Sequence, residues 1–312
     1  MSEPVAMRDV ISETIIGLAK NNPDIVVLTG DVSESTRTSE FAKIYPDRFF
    51  NCGVAEQNII GIASGMALAG KIPFVAAYAS FIVGRTFDHV RISVAYNKAN
   101  VKIIATHAGL SVGPDGATHQ MLEDIAMMRS LPNITIIIPA DANEAKKAIK
   151  AAVSINGPVY IRMSREVFPT VIAPQSPFEI GKCQKIHNGH DVAIIACGPM
   201  LAEALSATEI LKAKGISSKV INNATIKPLD TKGLLRELKN TKVILSVEEA
   251  QKNGGLGGAI AELIAEFQPK PLKIIGVMDR FGQSGSTKEL FNAYKLTARH
   301  IAQAAESLLK GV

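Results

Sequence analysis

Three stretches of this sequence combine residue types that could do chemistry. In Asn51–Gly70, NCGVAEQNIIGIASGMALAG, a strand end and a glycine lead into a helical run with Glu56 in its first turn. Exposed helix amides and the positive end of the dipole favour a carboxylate there, so Glu56 also reads as an ordinary helix-start residue, with Gly65 and Gly70 serving close packing. In Thr106–Gln120, THAGLSVGPDGATHQ, His107 and His119 flank three glycines and Asp115, which sets proton-handling side chains on a flexible backbone. The plain alternative is a turn-rich connection whose histidines hydrogen-bond the main chain. A metal site is the weaker reading, since no cysteine is near and the histidine spacing is not that of a helical ligand pair. In Ala77–Arg91, AYASFIVGRTFDHVR, Tyr78 and Phe81 fall at a strand-to-helix corner with Arg85 one turn beyond. Aromatics at such a corner either fill core or sandwich a flat heterocycle.

These stretches need a scaffold, and the pattern around them supplies one. Short β-rich apolar runs alternate with longer runs of helical period, which predicts a parallel sheet with helices on both faces. Strands are predicted at Ile25–Leu28, Pro73–Ala76, Val101–Ala105, Thr135–Ile138 and Val159–Ile161, and helices at Met7–Lys20, Glu56–Leu68, Phe81–Asn97 and Ala142–Ser154. From Phe168 to Gly181 three prolines and no helical period mark a linker. A second α/β unit follows, with strands at Val192–Ala196, Lys219–Asn222, Val243–Val247 and Lys273–Gly276 and helices at Met200–Lys214, Leu256–Glu266 and Thr297–Leu309. The expected division is 1–167 for the first domain, 168–186 for the linker and 187–312 for the second. The loop at Thr106–Gln120 follows a buried strand, at the sheet edge where open α/β sheets place ligands.

With 312 residues the chain is long enough for two such domains. No apolar run reaches the roughly 18 residues a membrane span needs, and the N-terminus, MSEPVAMRDV, lacks the basic-then-apolar order of a secretory signal, so a cytoplasmic protein is expected. Cys52, Cys183 and Cys197 form no CxxC pair, which fits the same reducing compartment. The net charge of +5 makes anionic partners plausible. Nucleic acid is poorly supported, because Lys and Arg are scattered, Trp is absent and aromatics make up only 5%. Sugar phosphates or a diphosphate cofactor would use the same charge.

Together these segments resemble the C-terminal portion of transketolases, from about Arg8 to the end of the chain. GVAEQN, the Y-x-x-F-x-x-x-R corner, GPDGATHQMLED, SVEEAQKNGGLGGAIAE and MDRFGQSG occur in the family's order. The resemblance implies a pyrimidine-binding domain for thiamine diphosphate followed by a transketolase C-terminal domain. It implies that Glu56 hydrogen-bonds the aminopyrimidine N1′ of that cofactor, that Tyr78 and Phe81 stack on the pyrimidine ring, and that Arg85 lies beside it. A proton shared with N1′ favours the imino tautomer, which can serve as the internal base. By the same mapping His107 and His119 contact substrate hydroxyls and phosphate, Asp115 binds a donor hydroxyl, and Arg8, Ser35 and Arg165 hold the sugar phosphate, a task suited to a planar guanidinium. For Arg8 and Ser35 the reading as surface residues stays open.

The family's grip on diphosphate and metal, a GDG motif followed later by Asn, is missing; the nearest approach is Gly30-Asp31-Val32. The resemblance therefore implies half a site. A second subunit carrying the N-terminal, diphosphate-binding half would complete it and hold the divalent cation, Mg or Ca, with no metal ligands in this chain. Two such chains and two partners would make a heterotetramer. The implied reaction moves a two-carbon ketol unit from a ketose phosphate to an aldose phosphate, as in the pentose phosphate pathway. Rival readings are the β subunit of a 2-oxo acid dehydrogenase E1 component, half of a deoxyxylulose-phosphate-synthase-like enzyme, and a non-catalytic module that kept the fold. GPDGATHQ and the following LED favour transketolase over the first, and intact Glu56, Tyr78, Phe81, His107 and His119 argue against the last.

Overall fold

Runs of mostly β-branched and small residues at 25–29 and 103–106 are buried along their whole length, a pattern that a parallel sheet covered by helices on both faces produces. The computed structural model describes residues 5–311. Residues 1–4, where the leader reading and the first expected domain begin, and Val312, where the second ends, lie outside them.

The strands are β1 (Ile25–Thr29), β2 (Phe49–Asn51), β3 (Ile72–Tyr78), β4 (Lys102–Thr106), β5 (Thr135–Ile137), β6 (Val159–Arg162), β7 (Gln184–His187), β8 (Val192–Ala196), β9 (Ser218–Asn222), β10 (Thr225–Lys227), β11 (Val243–Gln251) and β12 (Leu272–Val277). The helices are α1 (Ile11–Ala19), α2 (Ser39–Ile44), α3 (Glu56–Leu68), α4 (Ala79–Gly84), α5 (Phe87–His89), α6 (Asp124–Ser130), α7 (Ala142–Val153), α8 (Met200–Lys212), α9 (Thr231–Leu238), α10 (Leu256–Phe267), α11 (Thr287–Ala293) and α12 (Ala298–Leu309). Among the described residues none is long and apolar enough to cross a membrane.

Two α/β units result. The first sheet has the order β10-β5-β6-β4-β3-β1-β2 and the second β12-β11-β8-β9-β7. Both are parallel except at one edge, where β10 runs antiparallel to β5 and β7 antiparallel to β9. The two expected parallel-sheet α/β domains are present, each with one antiparallel edge strand added. β7 also begins at Gln184, inside the segment assigned to the linker.

Two helix predictions need correction. Met7–Lys20 is a 3₁₀ turn at Met7–Val10 followed by α1. Phe81–Asn97 is broken into α4, the single turn α5 and a π-helix at Val90–Tyr96. Near the break Thr86 donates its hydroxyl back to the Ile82 carbonyl, a competing bond that bends helices.

β10 comes from the second half of the chain yet completes the first sheet, with Thr225 opposite Ile137. Beside it the Ile138 amide donates to Ala224 O at 2.7 Å, and the Asn222 amide donates to buried Glu144 at 2.7 Å. Ile136 and Ile138 share one apolar cluster with Ile195, Ile221 and Ile226, so the core runs unbroken between the units. A cavity of about 710 Å³ opens in the second unit beside Lys273, Arg280, Tyr294 and His300, and none of the predicted site residues lines it.

Candidate functional site

The sheet register gathers the predicted residues. β3 and β4 lie side by side with Tyr78 opposite Thr106, so the residue after each strand leaves the sheet at the same level. His107 thereby comes to rest face to face with Tyr78, ring centroids 3.9 Å apart and planes 22° from parallel. Phe81, one turn into α4, stacks on Tyr78 at 5.7 Å, and His119 meets the Phe81 ring edge-on at 5.4 Å. The four rings form one aromatic ledge at the carboxyl end of the sheet.

Glu56 opens α3 and is 6% exposed. Its Oε2 accepts from Arg85 Nη1 at 3.0 Å, and the same guanidinium sits 4.3 Å over the centroid of Phe81. Gln57 donates its side-chain amide to Arg85 O, at 3.1 Å, tying the end of α4 to the start of α3. Among the described residues Glu56 Oε1 accepts no hydrogen bond, which leaves it open to a donor from outside the chain.

His107 is 2% exposed and has a positive φ of 55°, unusual for a non-glycine residue. Burial, and after it the charges of Arg8, Arg165 and His119, push its pKa down to about 3, so the ring is neutral at ordinary pH. The tautomer follows from its neighbours. Thr106 donates its hydroxyl to Ala77 O at 3.3 Å and so accepts from His107 Nδ1 at 2.9 Å. That leaves the Nε2 lone pair facing Arg8 Nη1 at 3.5 Å.

Arg8 and Arg165 flank this imidazole. Arg8 also donates to Ser35 O at 3.3 Å, while its Nε is buried with no partner. Ser35 enters through its carbonyl; its own hydroxyl donates to Val32 O at 3.1 Å. Burial first, then Arg37, lowers the Arg8 pKa, the signature of a cation short of counter-charge. Arg165 donates to Asp115 Oδ1 and to Val112 O, each at 3.1 Å, and lies 3.8 Å from Glu166. Of the two acids beside Arg165, Asp115 is thus the closer and Glu166 the more distant. His119 Nδ1 bonds the Thr118 hydroxyl at 2.9 Å.

Two groups fall together: Glu56, Tyr78, Phe81 and Arg85 on one side, and Arg8, Ser35, His107, Asp115 and Arg165 on the other, with His119 at the ring edge between them. The sequence reading missed Thr106, which fixes the His107 tautomer, and Gln57, which anchors Arg85. It also missed Glu249, whose carboxylate accepts from both the amide and the hydroxyl of Ser111 at 3.1 Å. An acidic pair, Glu248-Glu249, at the end of the apolar run VILSV was the available signal. Among the described residues no cluster of three or more His, Cys, Asp or Glu side chains could hold a metal ion. A buried acid with one free oxygen beside a ledge of rings fits the pyrimidine end of a heterocyclic cofactor.

Residues 3–170 match the family "Transketolase, pyrimidine binding domain" and residues 181–301 the family "Transketolase, C-terminal domain". A Methanocaldococcus jannaschii chain provisionally described as a transketolase C-terminal section is 46% identical, with 95% of this chain and 94% of that one aligned. A 6-deoxy-6-sulfo-D-fructose transketolase subunit from Clostridium sp. strain MSTE9 is 37% identical over 97% of this chain and 94% of its own length. A solved structure described as a split gene transketolase, inactive beta4 tetramer, superposes with a TM-score of 0.90 at 42% identity, covering 98% of each chain. The chain belongs to the transketolase family, as the C-terminal section of a split transferase, and that membership implies dependence on thiamine diphosphate.

Proposed function

We propose that this subunit grips the pyrimidine end of thiamine diphosphate and the sugar anion, and transfers a two-carbon ketol unit only when a second subunit supplies the diphosphate and cation half. The observation that carries the reading is the Glu56 carboxylate, nearly buried at the start of α3, with one oxygen free and the other joined through Arg85 to the Phe81 ring. Glu56 would hold a proton at the pyrimidine N1′, Tyr78 and Phe81 would bound the ring, and Arg85 would hold the carboxylate in place. When bound, the cofactor supplies the carbon nucleophile that takes up the ketol unit.

The remaining side chains address the sugar. His107, kept neutral, would meet substrate hydroxyls, as would His119, and Asp115 a donor hydroxyl. Arg8, with its unpartnered buried Nε, and Arg165 would bind the terminal anion, while Ser35 places Arg8 through its carbonyl. The name of the clostridial relative points to a sugar with a terminal sulfonate, so a tetrahedral oxyanion is the shared feature and phosphate one instance of it.

The missing GDG motif supports a partner subunit that holds Mg or Ca, and a relative whose solved structure is described as an inactive beta4 tetramer supports self-association within a heterotetramer. The domain division at 1–167, 168–186 and 187–312, a cytoplasmic setting and a place in pentose phosphate metabolism belong to the same reading.

Reconstitution tests it. The purified chain alone should bind thiamine diphosphate weakly and convert no xylulose 5-phosphate and ribose 5-phosphate, and adding the GDG-bearing partner should restore both. Turnover at ordinary enzymatic rates by the lone chain would sink the proposal.

A further inference from the structure

The loop that carries His107, Asp115 and the carbonyl bound by Arg165 is tied to the second domain by hydrogen bonds at two places, Gln120 Nε2 to Gln283 O at 3.0 Å near its end and Glu249 to Ser111 at its middle. Glu249, at the end of β11, is 2% exposed and its carboxylate is spent on a single residue of the loop. Oε2 accepts the Ser111 amide and Oε1 the Ser111 hydroxyl, both at 3.1 Å. The backbone passes so close that a Cβ at Gly109, whose φ is 84°, would sit 2.5–2.8 Å from the same carboxylate. Gly109 is the one residue type that permits this approach.

Behind Glu249 the support continues. Arg162 donates to the Glu249 carbonyl at 3.3 Å and has Nη1 3.8 Å from its carboxylate, while Asp124 takes Arg162 Nε at 2.8 Å and the Tyr160 hydroxyl at 2.7 Å. The preceding residue gives the contrast. Glu248 is equally buried, but accepts the Leu256 and Gly257 amides, both at 2.8 Å, and so caps α10 of its own domain. Two adjacent acids thus point in opposite directions, one into the second domain and one across to the loop.

We propose that Glu249 is a positioning residue for ketol transfer, fixing Ser111 midway between His107 and Asp115 so that both stand where the sugar binds. The inference rests on the transketolase reading of the loop. It gives the second domain a part in the active site that the sequence left unassigned.

The experiment uses Glu249→Ala, Glu249→Gln and Ser111→Ala, with Glu248→Ala beside them. Glutamine can still accept the Ser111 amide through its oxygen and donate to the hydroxyl through its nitrogen. In the reconstituted complex Glu249→Ala should lower kcat/KM for the sugar substrates roughly 10–100-fold, as a displacement of about 1 Å does, with thiamine diphosphate affinity unchanged. Glu249→Gln should recover most of that loss, and Ser111→Ala should fall between. Glu248→Ala should lower the Tm and leave KM for the sugars alone. If Glu249→Gln falls as far as alanine, the carboxylate serves as counter-charge to Arg162 and the positioning role is wrong.

A second readout is independent of activity. In the isolated chain, hydrogen exchange at the Ser111 amide should speed up in Glu249→Ala and not in Glu249→Gln. Unchanged exchange in the alanine variant would overturn the inference even if the complex transfers ketol units. Loss of protection in a complex with no ketol transfer would leave the contact standing and remove the proposed reaction instead.

Discussion

Arg85 Nη1 stands 3.0 Å from the carboxylate of Glu56 while the same guanidinium covers Phe81 at 4.3 Å. One cation therefore steadies both the acid and the ring proposed for the pyrimidine. Its side chain is half exposed, so the pair adds little to folding and its role lies in orientation.

Replacing Glu56 by Gln keeps the shape of that corner and removes the proton partner proposed for N1′. Turnover of the reconstituted enzyme should fall roughly 10²–10⁴-fold with little change in Tm. Hydrogen–deuterium exchange at cofactor C2 checks the assignment: a rate equal to wild type takes Glu56 out of the mechanism.

Arg165 already holds Asp115 and Val112 O, so its guanidinium is oriented before a substrate arrives. A charge-assisted bond to phosphate is worth about 1.5–3 kcal/mol, which makes Arg165→Ala cost roughly 10–150-fold in kcat/KM for ribose 5-phosphate. Free ribose, compared at fixed donor, should lose far less. Equal losses would mean that Arg165 acts through the loop alone, and its contact with the sugar anion would be withdrawn.

With its pKa pushed down to about 3, His107 should contribute no ionisation to activity over about pH 5–9. His107→Asn should therefore lower kcat/KM while the pH profile keeps its shape. In NMR titration of the isolated chain the His107 ring should remain neutral down to about pH 4. A His107 midpoint near 6.5 would show that the imidazole is solvated and that the cation field of Arg8 and Arg165 does not act on it.

Glu144 links stability to pH. Burial raises its carboxyl from 4.5 to about 7, against the pull of the Ala140 amide and Asn222. The folded chain thus binds this proton more tightly than the unfolded one. The stabilisation is fully present below 4.5 and is lost as pH rises through 7. Asn222 Oδ1 is buried without a partner, and turning that amide over would give it the hydrogen of a protonated carboxyl or of glutamine. Relative to wild type, Glu144→Gln should gain in Tm between about pH 5 and pH 8. A constant difference across that range would show that Glu144 does not titrate in the folded chain.

Much of the scaffold was legible because each long strand is a buried apolar run with turn residues on both sides. Val192–Ala196 was placed to the residue, and β1, β4, β5 and β6 to within one. β2, which is half exposed, and β10, with one apolar residue between Thr225 and Lys227, lack the buried apolar run that marks β5, and they exist because a neighbouring strand offers hydrogen bonds. The helix through Phe81–Asn97 was missed as a broken one because period alone does not register a hydroxyl competing for a carbonyl. In the site, residue types singled out Glu56, Tyr78, Phe81, His107 and His119, while Arg165 came only from the family resemblance. The contact of Glu249 with Ser111 joins residues 138 apart, and no local pattern carries that.

β10 makes the Pro-rich segment a misleading place to divide this protein. A polypeptide ending there would lack the strand that covers the outer edge of β5, leaving unpaired amides and carbonyls that recruit strands from other molecules. For recombination between relatives neither side of β10 is a clean seam, because a join in the linker parts β10 from β5 and a join beyond Lys227 parts β8 from β11. A chimera joined in the linker would inherit one parent's sheet and the other parent's edge, and its two cores would have to fit along Ile136, Ile138, Ile221 and Ile226 at once.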